Sequence, residues 1–122
     1  MAASRLDLQV TTRGGYTVVE VDGAIDVASA PQLRDCLRQL IDAGRRQLVV
    51  DLRQASFIDS AGLGVLVGAY RRVRAHDQDN GTVELVCDGL VLRILRLTGL
   101  DRVFPLHATL TDALGGAFGE KR

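Results

Sequence analysis

The stretch FIDSAGLG, Phe57-Ile58-Asp59-Ser60-Ala61-Gly62-Leu63-Gly64, decides how the rest of the chain is read, because one hydrophobic period gives way to another across it. Upstream, residues 47–52 (QLVVDL) form a nearly unbroken apolar run, the pattern of a strand buried on both faces. Downstream, Leu63, Leu66, Val67, Tyr70 and Val73 fall at helical spacing, which predicts a helix from Ser60 or Ala61 to about Ala75. Ser60 then stands at a helix start. A hydroxyl there is suited to cap the orphan amides of the first turn, and the helix dipole favours an anion attached to it. A capping serine and a modification site have the same signature, and both readings stand at this point. Gly62 and Gly64 fall inside the first turns, where each costs ~1 kcal/mol against Ala. That points to backbone that is exposed or closely approached. Phe57 and Ile58 fit neither period cleanly and suggest a presented surface.

Composition narrows the function classes. At 122 residues the chain is read as one domain over 1–122, with flexible tails at 1–5 and 119–122. Aromatic residues are only 4% of a sequence that is 47% hydrophobic, so the core is aliphatic. Fifteen basic residues balance 15 acidic ones, which argues against nucleic acid or an anionic membrane as the main partner. The longest uncharged apolar stretch, 61–70, is too short to span a bilayer and no targeting segment is visible, so a cytoplasmic location is expected. Cys36 and Cys87 fall at apolar positions outside any metal-spaced or redox motif, and buried structural thiols are expected.

Taken in order, Leu6, Leu8 and Val10 alternate with polar residues, and Tyr16, Val18, Val19 and Val21 follow Gly14-Gly15, which predicts an antiparallel hairpin. Gly23 is expected to break the second strand. Asp26 stands on the loop to Ser29, whose hydroxyl is placed to cap a helix with Pro31 in its first turn and Leu33, Cys36, Leu37, Leu40 and Ile41 inward. After the central helix, closed by Arg71, Arg72, Arg74 and His76, residues 83–87 read as a strand. Asp88 then caps a helix with Val91, Ile94 and Leu95 inward, ending near Thr98-Gly99. A short strand is predicted at 103–106, and Thr109 with Asp112 resembles a capping box for a last helix holding Leu110, Ala113, Leu114 and Phe118. Gly115, Gly116 and Gly119 suggest that it frays. The fold class is therefore α/β: a mixed sheet with an N-terminal antiparallel hairpin, then β-α-β crossovers and about four helices.

Enzymatic readings find little support. Gly62, Gly64 and Gly68 give a spacing one residue too long for a dinucleotide fingerprint, and the only lysine, Lys121, is no phosphate-loop lysine. Ser60 lacks the flanking glycines of a nucleophile elbow, and His76 and His107 read as surface residues. Asp26 and Asp59 read as loop and cap residues before paired catalytic carboxylates. No metal-ligand cluster is present in the pattern.

The segment 57–64 resembles the signature of the STAS-domain anti-anti-sigma factors, bacterial antagonists of anti-sigma factors. Gly23-Ala24-Ile25-Asp26 resembles their second motif, and residues 97–104 (LTGLDRVF) their third, in matching order over most of the chain. The resemblance implies a STAS-like single domain with no catalytic activity and no cofactor of its own. Ser60 would be the phosphoacceptor, Asp26 would share its surface, and Asp59 would shape the turn. Asp26, Asp59, Ser60, Ala61, Gly62, Leu63 and Gly64 would meet the partner. That partner would be an anti-sigma factor with serine kinase activity, carrying the ATP and Mg; phosphorylation would end the interaction, and a PP2C-type phosphatase would reset it. Many relatives have a second hydroxyl after the phosphoserine, where this chain has Ala61. Two other readings stand beside this one: a STAS scaffold or regulatory subunit of a larger signalling assembly, and a small enzyme or ligand carrier using the 62–64 turn.

Overall fold

The computed structural model describes residues 5–115. β1 (Asp7–Arg13) and β2 (Tyr16–Ile25) form the opening hairpin. Gly14 and Gly15 turn it with φ of 57° and 89°, the left-handed pair that a two-residue hairpin turn requires. There follow α1 (Ala30–Asp42), β3 (Gln47–Asp51), β4 (Ala55–Ile58), α2 (Ser60–His76), β5 (Thr82–Val86), α3 (Gly89–Leu97), a 3₁₀ turn (Leu100–Arg102), β6 (Leu106–His107) and α4 (Leu110–Ala113). β1 is antiparallel to β2, and from β2 the sheet continues through β3, β5 and β6, all parallel. β4 takes over from β3 as the neighbour of β2: β3 pairs with residues 17–20 and β4 with residues 23–25. This is the mixed α/β architecture expected from the sequence.

Period-2 alternation distributes the aliphatic side chains between two layers. Val19 and Val21 of β2, Leu48 and Val50 of β3, and Val83 and Leu85 of β5 face α1, α2 and α3, whose Leu33, Leu37, Ile41, Leu66, Val73, Val91 and Leu95 complete the larger core. The intervening Val18, Val49 and Val86 face α4 through Ala113 and Leu114. Strands buried on both faces read as continuous apolar runs, which is why residues 47–52 show no alternation in sequence. Each fully buried Leu or Ile contributes ~1.5–3 kcal/mol relative to exposure, so aliphatic packing suffices without tryptophan.

Several expectations are corrected. Gly23 does not end β2. It takes φ of 125° and the register shifts there, a bulge that lets the strand continue to Ile25 while changing partner. Phe57 and Ile58 belong to β4, a four-residue strand too short to show a period, with Phe57 exposed and Ile58 buried. Residues 103–106 are not a strand: Val103 follows the 3₁₀ turn, Phe104 is buried edge-on against Tyr70 at 5.8 Å, and β6 begins only at Leu106. Asp88 precedes α3 without a side-chain capping bond, whereas the Thr109 hydroxyl does accept the Asp112 N–H at 3.1 Å. His107 is no free surface residue. It pairs with Glu84 at 2.6 Å on the α4 side of the sheet, both half-buried. Phe118, Gly116 and Gly119 lie outside the described residues, as do the expected tails apart from Arg5, which is exposed.

The two central glycines behave differently. A Cβ on Gly62 would stand 2.6 Å from Ile58 Cγ1 and 2.7 Å from Ile25 Cγ2, both on buried side chains, while one on Gly64 would meet nothing within 4 Å. Gly62→Ala is expected to destabilise the fold by about 1–3 kcal/mol through overpacking, and Gly64→Ala to stabilise it by up to ~1 kcal/mol through helix propensity. Denaturant midpoints of the two variants against the parent check this.

Burial pushes the Cys87 thiol up to about 11 and raises that of Cys36, which is only half-buried at the margin of its helix stripe. An unfolded thiol ionises near ~8.5. The contribution of Cys87 to stability is therefore complete below that pH and is lost as pH rises through about 11. Unfolding titrations should show this decline, reduced in Cys87→Ala, and native Cys87 should alkylate slowly.

Candidate functional site

The site is built on two adjacent parallel strands that end together. Ala24 pairs with Phe57 and Ile25 with Ile58, and the Asp59 N–H donates to the Ile25 carbonyl at 3.1 Å. Asp26 and Asp59 are therefore each the first residue beyond a strand end, on neighbouring strands, at the carboxyl edge of the sheet. That edge is where open α/β sheets generally present their functional groups.

From that edge the two aspartates do different work. Asp59, extended at φ −108°, is the N-cap of α2: its Oδ1 accepts the N–H groups of Ala61 at 2.9 Å and Gly62 at 3.1 Å. Ser60 is thus not the cap foreseen as one reading of the sequence but the first helical residue, exposed, with no hydrogen-bond partner for its hydroxyl among the described residues. Leu63 N–H is taken by the Asp59 carbonyl. Asp26 folds the preceding loop. Its Oδ1 accepts from the N–H groups of Ala28 and Ser29 at 3.0 and 3.1 Å, and its carbonyl accepts from Ala30 at 2.7 Å.

Ser29, read from sequence as a helix cap, makes no capping bond to α1. It is buried and points backwards: its hydroxyl donates to the Ala24 carbonyl at 2.7 Å and accepts the Asp26 N–H at 3.0 Å. It locks the loop onto the end of β2, a role that a Ser two residues before Pro does not advertise.

The Asp26 loop and β4 each present one large apolar side chain. Val27 is 75% exposed on the Asp26 loop and Phe57 is 41% exposed on β4. Phe57 agrees with the expectation of a presented surface; Val27 was not singled out, since one valine in a polar loop carries no pattern. Of the candidate contact residues, Asp26, Asp59, Ser60, Ala61, Leu63 and Gly64 are at least partly accessible, while Gly62 is buried and serves the packing of α2 onto Ile25 and Ile58. The third motif runs from the end of α3 through the 3₁₀ turn to Phe104. Thr98 bonds the Ile94 and Leu95 carbonyls at the end of α3, Gly99 takes φ of 78°, and Phe104 abuts Tyr70 of α2. α3 itself packs beside β4.

Gly64 and Gly68 open onto a groove of about 250 Å³ between α1 and α2, with Leu37, Val65, Arg34, Arg38 and Arg72 in its lining. Arg34 and Arg72 are held by Asp35 and Asp42. The lining contains no carboxylate, histidine, thiol or hydroxyl to act as base or nucleophile, so the groove gives no support to an enzyme using the 62–64 turn. Among the described residues no helix is long and apolar enough to cross a membrane.

The loop geometry separates two substitutions. Ser29→Ala should destabilise the domain by about 1–3 kcal/mol, because it strands the partly buried Ala24 carbonyl and Asp26 N–H. Asp26→Asn keeps the accepting oxygen and should melt close to the parent. Thermal denaturation of both variants decides the point.

Comparison with known proteins identifies the family. Residues 7–113 match the family model of the STAS domain. The chain is 30% identical over 95 residues to the anti-sigma-B factor antagonist of Staphylococcus aureus, covering 78% of this chain and 86% of that one. It is 29% identical over 119 residues to the anti-sigma-F factor antagonist RsfB of Mycobacterium tuberculosis, covering 97% and 94%. A crystal structure of an anti-sigma factor antagonist from Mycobacterium paratuberculosis superposes with a TM-score of 0.82 at 34% identity, over 89% of this chain and 91% of that one. With the family model matched over residues 7–113, relatives about 30% identical over most of the chain and a closely superposing fold, the chain belongs to the STAS domain family.

Proposed function

We propose that this protein is an anti-sigma factor antagonist, a cytoplasmic single-domain regulator that binds an anti-sigma factor with serine kinase activity and is switched off by phosphorylation of Ser60. The observation that carries the reading is the division of labour at the start of α2. Asp59 supplies the cap, and Ser60 is left exposed beside the Asp26 loop. The names of its relatives, anti-sigma-B and anti-sigma-F factor antagonists, support the same class of partner. The protein itself is a substrate and a binding module, not an enzyme. ATP and Mg belong to the kinase, and a PP2C-type phosphatase restores the binding form.

The electrostatics suit such a switch. A phosphate adds a charge of about −1.5 to −2 near neutral pH. The amides of Ala61 and Gly62, which would otherwise draw it in, are already engaged by Asp59. The added charge therefore remains on the surface, next to two strand-end aspartates. At an effective dielectric of ~20, each unit charge ~8 Å from a like charge on the partner opposes docking by roughly 2 kcal/mol before salt screening. Val27 and Phe57 supply the apolar contact that the unmodified form offers. Asp26, with its carboxylate fixed by the loop, positions the partner or orients the serine hydroxyl for transfer.

Incubation with ATP and a kinase-type anti-sigma factor, followed by mass spectrometry, should place a single phosphate on Ser60; phosphate mainly on Ser56 or Thr98 would overturn the assignment. Ser60→Ala should bind the partner persistently. Ser60→Asp should weaken binding only partly, by less than the one to three powers of ten available to a dianion. Asp26→Asn should slow phosphorylation or weaken docking at a native melting temperature, and native values for all three would remove Asp26 from the site.

A further inference from the structure

The two edges of the sheet are unlike. β6 is a two-residue strand, short enough to offer little to another chain. β1 is seven residues long, contains neither proline nor lysine, pairs with β2 without any register shift, and has no strand on its outer side among the described residues. Six of its seven residues are exposed, Val10 at its centre among them at 45%. Proline, lysine and a bulge, three of the devices that blunt a free edge, are missing from it.

Its charges show what the edge fits. Asp7 stands directly opposite Asp22 on β2, and Gln9 opposite Glu20, so one end of the hairpin's open face is acidic. Like charges directly opposite each other destabilise a strand pair. At the far end Arg13 stands opposite Tyr16. Among the described residues Asp7, Asp22 and Arg13 enter no ion pair. If two β1 strands are laid antiparallel with Val10 opposite Val10, Gln9 meets Thr11, Leu8 meets Thr12, and Asp7 meets Arg13 twice over. The alternation of strand faces puts Arg13 of the second copy on the same face as the Asp7–Asp22 pair, where a cation is wanted.

We infer that β1 is a self-complementary edge through which two copies of this chain join into one continuous sheet, in the register that places Asp7 of each against Arg13 of the other. The symmetry is closed, so association stops at the dimer along this edge. The two β2 strands run in opposite directions across the joined sheet, and the two Ser60 turns lie towards opposite ends of it. A single strand pair makes a small interface, so the dimer is a weak, concentration-dependent one.

Sedimentation velocity on the full chain across the micromolar range tests this. The parent should shift from monomer to dimer with concentration. Arg13→Asp and Asp7→Arg, each turning two attractive cross-strand contacts into repulsive ones, should weaken self-association by roughly tenfold or more. An equimolar mixture of the two single variants should form the heterodimer, and the double variant D7R/R13D should regain the homodimer. Melting curves verify that each variant is folded, and Val10→Pro, which removes a central strand N–H, provides an independent block. A chain that stays monomeric at the highest concentration overturns the proposal. So does a dimer indifferent to both charge reversals, or a monomer whose β1 amides are protected from exchange by residues 116–122.

Discussion

The close approach of the first turn of α2 to the ends of β2 and β4 is the constraint on which the site depends. Gly62 lies against Ile25 and Ile58 at distances that leave no room for a Cβ, and those two isoleucines are themselves partners across the parallel pair. Interiors are packed too densely for such a contact to be relaxed by a neighbouring side chain. Helix start, two strand ends and the Asp26 loop therefore form one rigid corner. A larger residue at position 62 would lift the helix off the strands and carry Ser60 with it, so a buried glycine fixes where the exposed serine stands.

The same corner explains which parts of the site were legible in sequence. The strand at 47–51 and the helix at 60–76 are long enough for their periods to register, and the hairpin is announced by two adjacent glycines. β4 has four residues and one buried side chain between solvent and turn, so neither period has room to appear. Gly23 reads as a breaker because positive φ usually ends a strand; only the register shift to β4 reveals that it redirects the strand instead. Ser29 and Asp59 show the limit most clearly. Both are cap-type residues before helices, yet one caps and the other bonds backwards to a strand. What decides is the φ/ψ of each: Asp59 is extended, while Ser29 is already near-helical at φ −102° and ψ −20°.

The third motif shows a different kind of dependence. Nothing in LTGLDRVF touches Ser60 in any contact described above, but Phe104 sits under Tyr70 on α2, and the turn at Gly99 is what brings Phe104 inward after α3. α3 in turn packs beside β4, the strand that ends at the site. The motif therefore braces the middle of α2 through aromatic packing worth ~0.5–1.5 kcal/mol beyond its buried area.

Assigning the cap to Asp59 rather than Ser60 has a consequence for any modification of the hydroxyl. A capping bond contributes about 1 kcal/mol to a helix, and a serine that supplied it would surrender it on phosphorylation, coupling the modification to fraying of α2. Here the two amides of the first turn remain bonded to the Asp59 carboxylate whatever is attached to Ser60. A phosphate on Ser60 would also meet a helix end whose partial positive charge tolerates it. The domain would then have no reason to unfold or rearrange, and the added charge would be felt at the surface. Under the proposed function, that arrangement favours a switch read out between molecules over one read out within the chain.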